Sequence, residues 1–179
     1  MAEFLWIFWS FSLLGWGLER LFAAVTRSPQ RRRRCLLLLP LCPVYGLGMA
    51  AVLALPPSLR SGWPLYLWGG LTATSVEYIY HWWGETFLSV SFWDYTGVFG
   101  NLRGRVCLPF SLAWGLLLFP AVYLVTPPVV ALADRVPVGV TWWLLLAFTA
   151  DAVCSLRFLA VTHDLEALRA VIWPVSGDR

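Results

Sequence analysis

The chain has 179 residues, 59% of them hydrophobic and 13% charged, with a mean hydropathy of +0.69. Soluble domains run at roughly 45–50% apolar and about 25% charged, so this composition excludes an ordinary soluble fold. The net charge of +3 rests on 13 arginines, with no lysine anywhere, which is too small and too localised to call for a nucleic-acid partner.

Runs of roughly 20 apolar residues recur, each the length of a helix that crosses a bilayer. They are too long and too uniformly apolar for barrel strands. The expected fold is therefore all-α: one polytopic transmembrane domain over residues 1–179, with about five helices at 4–25, 36–55, 63–83, 106–125 and 138–162. Cys35, Cys42, Cys107 and Cys154 form no CxxC pair and read as small apolar residues. Nothing in the spacing calls for a metal or a cofactor.

The first segment has no basic residue before it and no A-x-A site after it, so it reads as a retained helix and not as a signal peptide. Glu19 and Arg20 lie inside it. Arg20 can snorkel to the headgroups, whereas Glu19 is too short and needs a partner. The run RSPQRRRR that follows is the strongest topological signal, since short basic loops stay in the cytoplasm. Arg31–Arg34 also suit anionic lipid headgroups.

The second segment is expected to break. Pro40 and Pro43, followed by Tyr45, Gly46 and Gly48, cannot continue a regular helix. Backbone freed at membrane depth is tolerated only in contact with protein or a wet cavity. In the third segment Gly69, Gly70 and Ala73 form a small-residue packing patch. Glu77, His81 and Glu85 then recur every fourth residue and stack along one flank.

Residues 84–105 are too polar to span. Phe87, Leu88, Phe92, Trp93 and Tyr95 suit an interfacial or re-entrant path between the third and fourth helices. Pro109 fits the first turn of the fourth helix, and Cys107, Ser111, Trp114 and Leu118 share one of its faces. TPPVVALADRVP reads as a loop. The fifth helix carries Asp151 and Ser155 at mid-membrane, and the tail from residue 163 reads as a short amphipathic surface helix.

Alternation from a cytoplasmic Arg31–Arg34 loop puts the N-terminus outside and the C-terminus in the cytoplasm. Arg103, Arg105, Arg169 and Arg179 then share the cytoplasmic side, in keeping with the positive-inside rule. In that topology Glu19 and Glu77 lie roughly 9 Å inside their cytoplasmic helix ends, and Ser111 roughly 8 Å. The Pro40–Gly46 break begins about as deep. A polar pocket open to the cytoplasm follows as an expectation, roofed by the WDYTGVFGNLRGR segment. Its candidate substrate-binding residues are Glu19, Tyr45, Glu77, Glu85, Asp94, Asn101, Arg105 and Ser111. Arg105 offers a planar donor fork for phosphate or carboxylate, the carboxylates offer general bases, cation ligands or proton carriers, and a structural salt-bridge network is the alternative use of the same groups.

LGWGLER, PLCPVYGLG, the pair Glu77 and Glu85, and then WDYT, N-x2-GR-x-C and S-x2-WG together resemble the family described as "Putative ABC-transporter type IV", bacterial multi-pass proteins. The likeness covers roughly residues 8–118, and Cys35, Leu39 and Thr96 depart from its pattern. The resemblance implies the bacterial inner membrane and a permease-like role. No Walker A motif is present, so ATP hydrolysis would come from a separate ATPase subunit. Five helices are few for a transport path, and a permease of this size would need to form a homo-oligomer. Transport ranks first, ahead of an intramembrane enzyme for a lipid-linked or phosphate-bearing substrate and of a structural or assembly subunit.

Overall fold

The structure, a computed structural model, describes residues 1–26 and 35–170. It is 75% helical with almost no sheet, an all-α protein. The arginine run at 31–34 and the tail after residue 170 lie outside the described residues, and with them the lipid contact expected at Arg31–Arg34.

Helix α1 is Ala2–Thr26, without an internal proline. The expected second segment contributes only α2, Pro43–Leu53, with Pro43 in its first turn where a missing N–H costs nothing. Residues 36–42 are not helical. Their freed backbone is satisfied from other helices. The Cys42 N–H donates to the Ser12 carbonyl at 2.9 Å. The Leu38 and Leu39 N–H groups donate to the two oxygens of Asp151 at 3.1 and 2.9 Å.

Helix α3 runs over residues 62–88 as Gly62–Pro64, a π turn Leu65–Gly69, Gly70–Trp83 and a second π turn Gly84–Leu88. It is longer than the 63–83 expected, and it stops where Ser89 turns left-handed, at φ 55°. After a loop, a small antiparallel hairpin pairs β1, Asn101–Leu102, with β2, Val106–Cys107. Composition had given no sign of it.

Helix α4, Leu108–Ala133, corrects the expected loop at 126–137. The chain stays helical through Pro127 and Pro128 because a π turn, Ala121–Val125, precedes them and the prolines open the next helical stretch. The Thr126 hydroxyl donates to the Ala121 carbonyl at 2.8 Å and takes up part of the lost bonding. Helix α5 is Val138–Thr162, as expected. Helix α6, Leu165–Ala170, follows it. Its Leu165 and Leu168 are buried while Asp164 and Glu166 are exposed, so the described part of the tail forms a short amphipathic helix with its apolar face on the core.

Glycines set the closest approaches. A Cβ on Gly15 would enter the Tyr45 ring, and one on Gly46 would meet Phe8 and Ser12, so α1 and α2 are in contact through both. A Cβ on Gly70 would stand 3.2 Å from the Gly115 Cα, the matching crossing of α3 and α4. Small residues at helix crossings are the packing mode of helices in lipid.

By length and composition, Leu108–Ala133 and Val138–Thr162 are able to cross a membrane, and in each only 17% of the apolar window is buried. A core helix of a soluble protein would be mostly buried. Leu21, Leu116, Leu124, Trp143 and Val161 are between 62% and 80% exposed. Apolar exposure on that scale suits a lipid surrounding.

Candidate functional site

The site forms where α1, α2, α3, α4 and the 89–107 loop converge. That loop re-enters the protein body: Val90, Phe92, Trp93, Tyr95, Val106 and Cys107 are all buried. Phe92 seats against Gly84, which leaves room for its ring and for nothing more. Trp93 stacks on Tyr80 at 6.3 Å between centroids and donates from Nε1 to the Arg105 carbonyl at 2.7 Å.

The motif residues of the loop mainly build the loop. Asp94 accepts the Thr96 N–H at 2.7 Å. The Thr96 hydroxyl and this N–H hold the exposed Asp94 carboxyl below its usual pKa. Asn101 donates to the Val98 carbonyl at 3.0 Å and accepts the Gly104 N–H at 3.2 Å. Gly97, Gly100 and Gly104 all have positive φ, and so does Arg103. At Gly104 a Cβ would also stand 2.9 Å from Asp94 Oδ1, so glycine is required there twice over. The Gly104 carbonyl accepts the Tyr95 N–H at 2.8 Å and so sets the direction of the Tyr95 side chain.

Tyr95 points that hydroxyl at Glu77. The carboxylate is 1% exposed and lies about 16 Å along α3 from Leu88. It accepts from Tyr95 at 3.2 Å and from Trp114 Nε1 of α4 at 2.8 Å. The Trp114 ring meets the Tyr45 ring edge-on at 5.1 Å, and the Tyr45 hydroxyl donates to Glu19. Four helices and the loop are thus joined in the order Glu19, Tyr45, Trp114, Glu77, Tyr95. Burying a carboxylate in an apolar bundle is costly, and such groups mark functional sites by default.

One turn along α3 lies a second cluster. His81, 1% exposed, faces Glu85 at 3.1 Å and Ser91 at 3.4 Å, both through Nε2. Its Nδ1 has no hydrogen-bond partner among the described residues. A serine–histidine–acid relay needs the acid on the other nitrogen, so this is not a hydrolase triad. Arg105 donates from Nε to Glu85 at 2.7 Å and from Nη1 to the Tyr78 hydroxyl at 2.9 Å.

The structure therefore brings Glu19, Tyr45 and Glu77 into one chain of contacts and Glu85 and Arg105 into another. Asp94 and Asn101 stay in the loop backbone. The Ser111 hydroxyl donates to the carbonyl of Cys107, the residue just before its helix, at 3.0 Å. Arg105 pairs with Glu85, Glu19 finds its partner on a neighbouring helix in Tyr45, and the Arg20 guanidinium lies over Trp16. Sequence reasoning missed Tyr95, Trp114, Tyr78 and Asp151 as partners, although Tyr95 and Trp114 stand inside the quoted WDYT and S-x2-WG motifs. Among the described residues no group of three His, Cys, Asp or Glu side chains could hold a metal ion.

A cleft of about 300 Å³ extends from Glu77 between α1, α2, α3 and α4. Most of its lining is apolar. Tyr45, Glu77 and Trp114 bring its polar side chains. A polar pocket open to the cytoplasm is the expectation at this level, and the described cleft that reaches Glu77 is lined mainly by apolar residues.

The fold and site define an all-α protein with apolar outer faces and a buried carboxylate at a helix junction. The family model described as "Putative ABC-transporter type IV" matches residues 6–156, and the chain belongs to this family. No curated protein and no solved structure matches it.

Proposed function

We propose that this chain is the membrane-embedded, permease-like component of a transport system and works with a separate ATPase subunit. In this reading residues 1–179 form one domain of the bacterial inner membrane. Five helical segments cross it, with the N-terminus outside and the C-terminus in the cytoplasm. The candidate substrate residues are Glu19, Tyr45, Glu77, Glu85, Asp94, Asn101, Arg105 and Ser111, with Glu77 at their centre. Asp94, Asn101 and Ser111 act through the backbone they hold, and Arg105 through Glu85.

The observation that carries this reading is Glu77. A fully buried carboxylate contacted at once from the loop and from α4 links the two elements through one group. The enzyme alternative would use the Arg105 fork, of which Nε and Nη1 already donate to Glu85 and Tyr78.

The test has two arms. In a chain without its native cysteines, single cysteines at Ser61 and Thr96 are expected to react with impermeant reagents from opposite sides of the membrane. Capture of the full chain from its own membranes is expected to bring down an ATP-hydrolysing subunit. Labelling of both cysteines from one side would overturn the topology, and capture of the chain without any ATPase would overturn the transport role.

A further inference from the structure

The apolar cleft beyond Glu77 is not used by the polar chain of contacts, and its shape points to a ligand of its own. Phe11, Gly48, Met49, Ala73, Leu117 and Val125 are among its walls. Gly48 matters most, because a Cβ added there meets nothing within 4 Å. A bundle closed for packing alone would have no reason to keep that space.

Two features of the cleft fix what fits. Along α4 it reaches from Trp114 to Val125, eleven residues or about 16 Å. Half the hydrocarbon thickness of a bilayer is about 15 Å, so the cleft has the length of one leaflet's chain. Its rim is open and apolar, with Leu14 51% and Leu117 44% exposed, and so is continuous with the outer faces that lipid would cover. The lining around Glu77 is different in kind. It presents the Glu77 carboxylate, Tyr45 and Trp114, and the described lining includes no basic group.

We infer that this cleft binds one hydrocarbon chain lying along the helices, with a hydrogen-bond donor, a hydroxyl or an ammonium, as its polar end beside Glu77 and Tyr45. A carboxylate head has no hydrogen to donate to Glu77. The inference rests on the membrane reading above and is independent of the ATPase.

The test uses the full chain in phosphatidylcholine nanodiscs, with dodecylamine, dodecanol and dodecanoate each carrying a diazirine on the chain. Peptides cross-linked on irradiation are mapped by mass spectrometry. The amine and the alcohol are expected to label residues 43–53 and 114–125 saturably, with the carboxylate at least about tenfold weaker. Gly48→Leu fills the open space, and Ala121→Leu fills the cleft from α4. Both are expected to cut labelling about tenfold. Gly17→Leu, at an exposed glycine with equally open surroundings, should label as wild type. Unsaturable label spread over the outer faces of α4 and α5, equal labelling by the carboxylate, or full labelling of both filled variants would overturn the inference. A chain that does not enter nanodiscs at all would instead sink the membrane reading.

Discussion

Asp151 offers the sharpest test of how the broken second segment is held. Its two oxygens accept the N–H groups of Leu38 and Leu39, and the buried Ser155 hydroxyl donates to Oδ1 at 2.9 Å. A hydrogen bond to a charged acceptor contributes about 1.5–3 kcal/mol, so the two backbone bonds together contribute about 3–6 kcal/mol. Desolvating the carboxylate offsets part of that, leaving roughly 2–4 kcal/mol. Asp151→Leu removes both acceptors and strands two backbone donors. For a chain of this size each kcal/mol shifts Tm by about 2–4 °C, so the expected fall is near 10 °C. Asp151→Asn keeps one acceptor oxygen and is expected to lose about half as much. Thermal melts of the purified protein in one detergent, followed by near-UV circular dichroism, measure both. If Asp151→Leu melts at or above the wild-type temperature, the carboxylate does not hold the segment.

Gly15→Ala drives a methyl into the Tyr45 ring and should cost about 1–3 kcal/mol by overpacking, whereas Gly17→Ala two residues away meets open space and should be neutral; paired melts decide it. Asp94 titrates below its usual range in the folded loop. Its contribution is therefore complete above the unfolded pKa of about 3.9 and is lost only as pH falls through the lower, folded value. Exchange of the Thr96 amide should be flat from pH 5 to 8 once corrected for intrinsic rates, and Asp94→Ala should speed it at every pH in that range.

Much of this was legible because the governing physics is local. Apolar runs gave the all-α class and the limits of α5. Pro40 and Pro43 gave the break before α2, and the four-residue spacing of Glu77, His81 and Glu85 gave their common flank. What was not legible depends on partners far apart in the chain. Nothing near Asp151 says that its oxygens close backbone donors 113 and 112 residues away. Pro127 and Pro128 read as a loop because their effect on α4 depends on the π turn before them. The loop motif hid its partners in another way. Asp94 and Asn101 are residue types that do chemistry, but their hydrogen bonds shape a tight turn, and the group the turn presents to the core is the phenol of Tyr95.

Glu77→Gln tests the central claim most directly, since it keeps the shape and one acceptor oxygen while removing the ionisable group. Melting temperature and ATP hydrolysis by the captured assembly should be measured on the same preparation. The expected result is a Tm within about 3 °C of wild type, roughly 1 kcal/mol, with hydrolysis or its response to substrate lost. A Tm that collapses in step with activity, and that is restored together with it when Tyr95→Phe and Trp114→Phe remove the facing donors, would show that Glu77 only holds the bundle together.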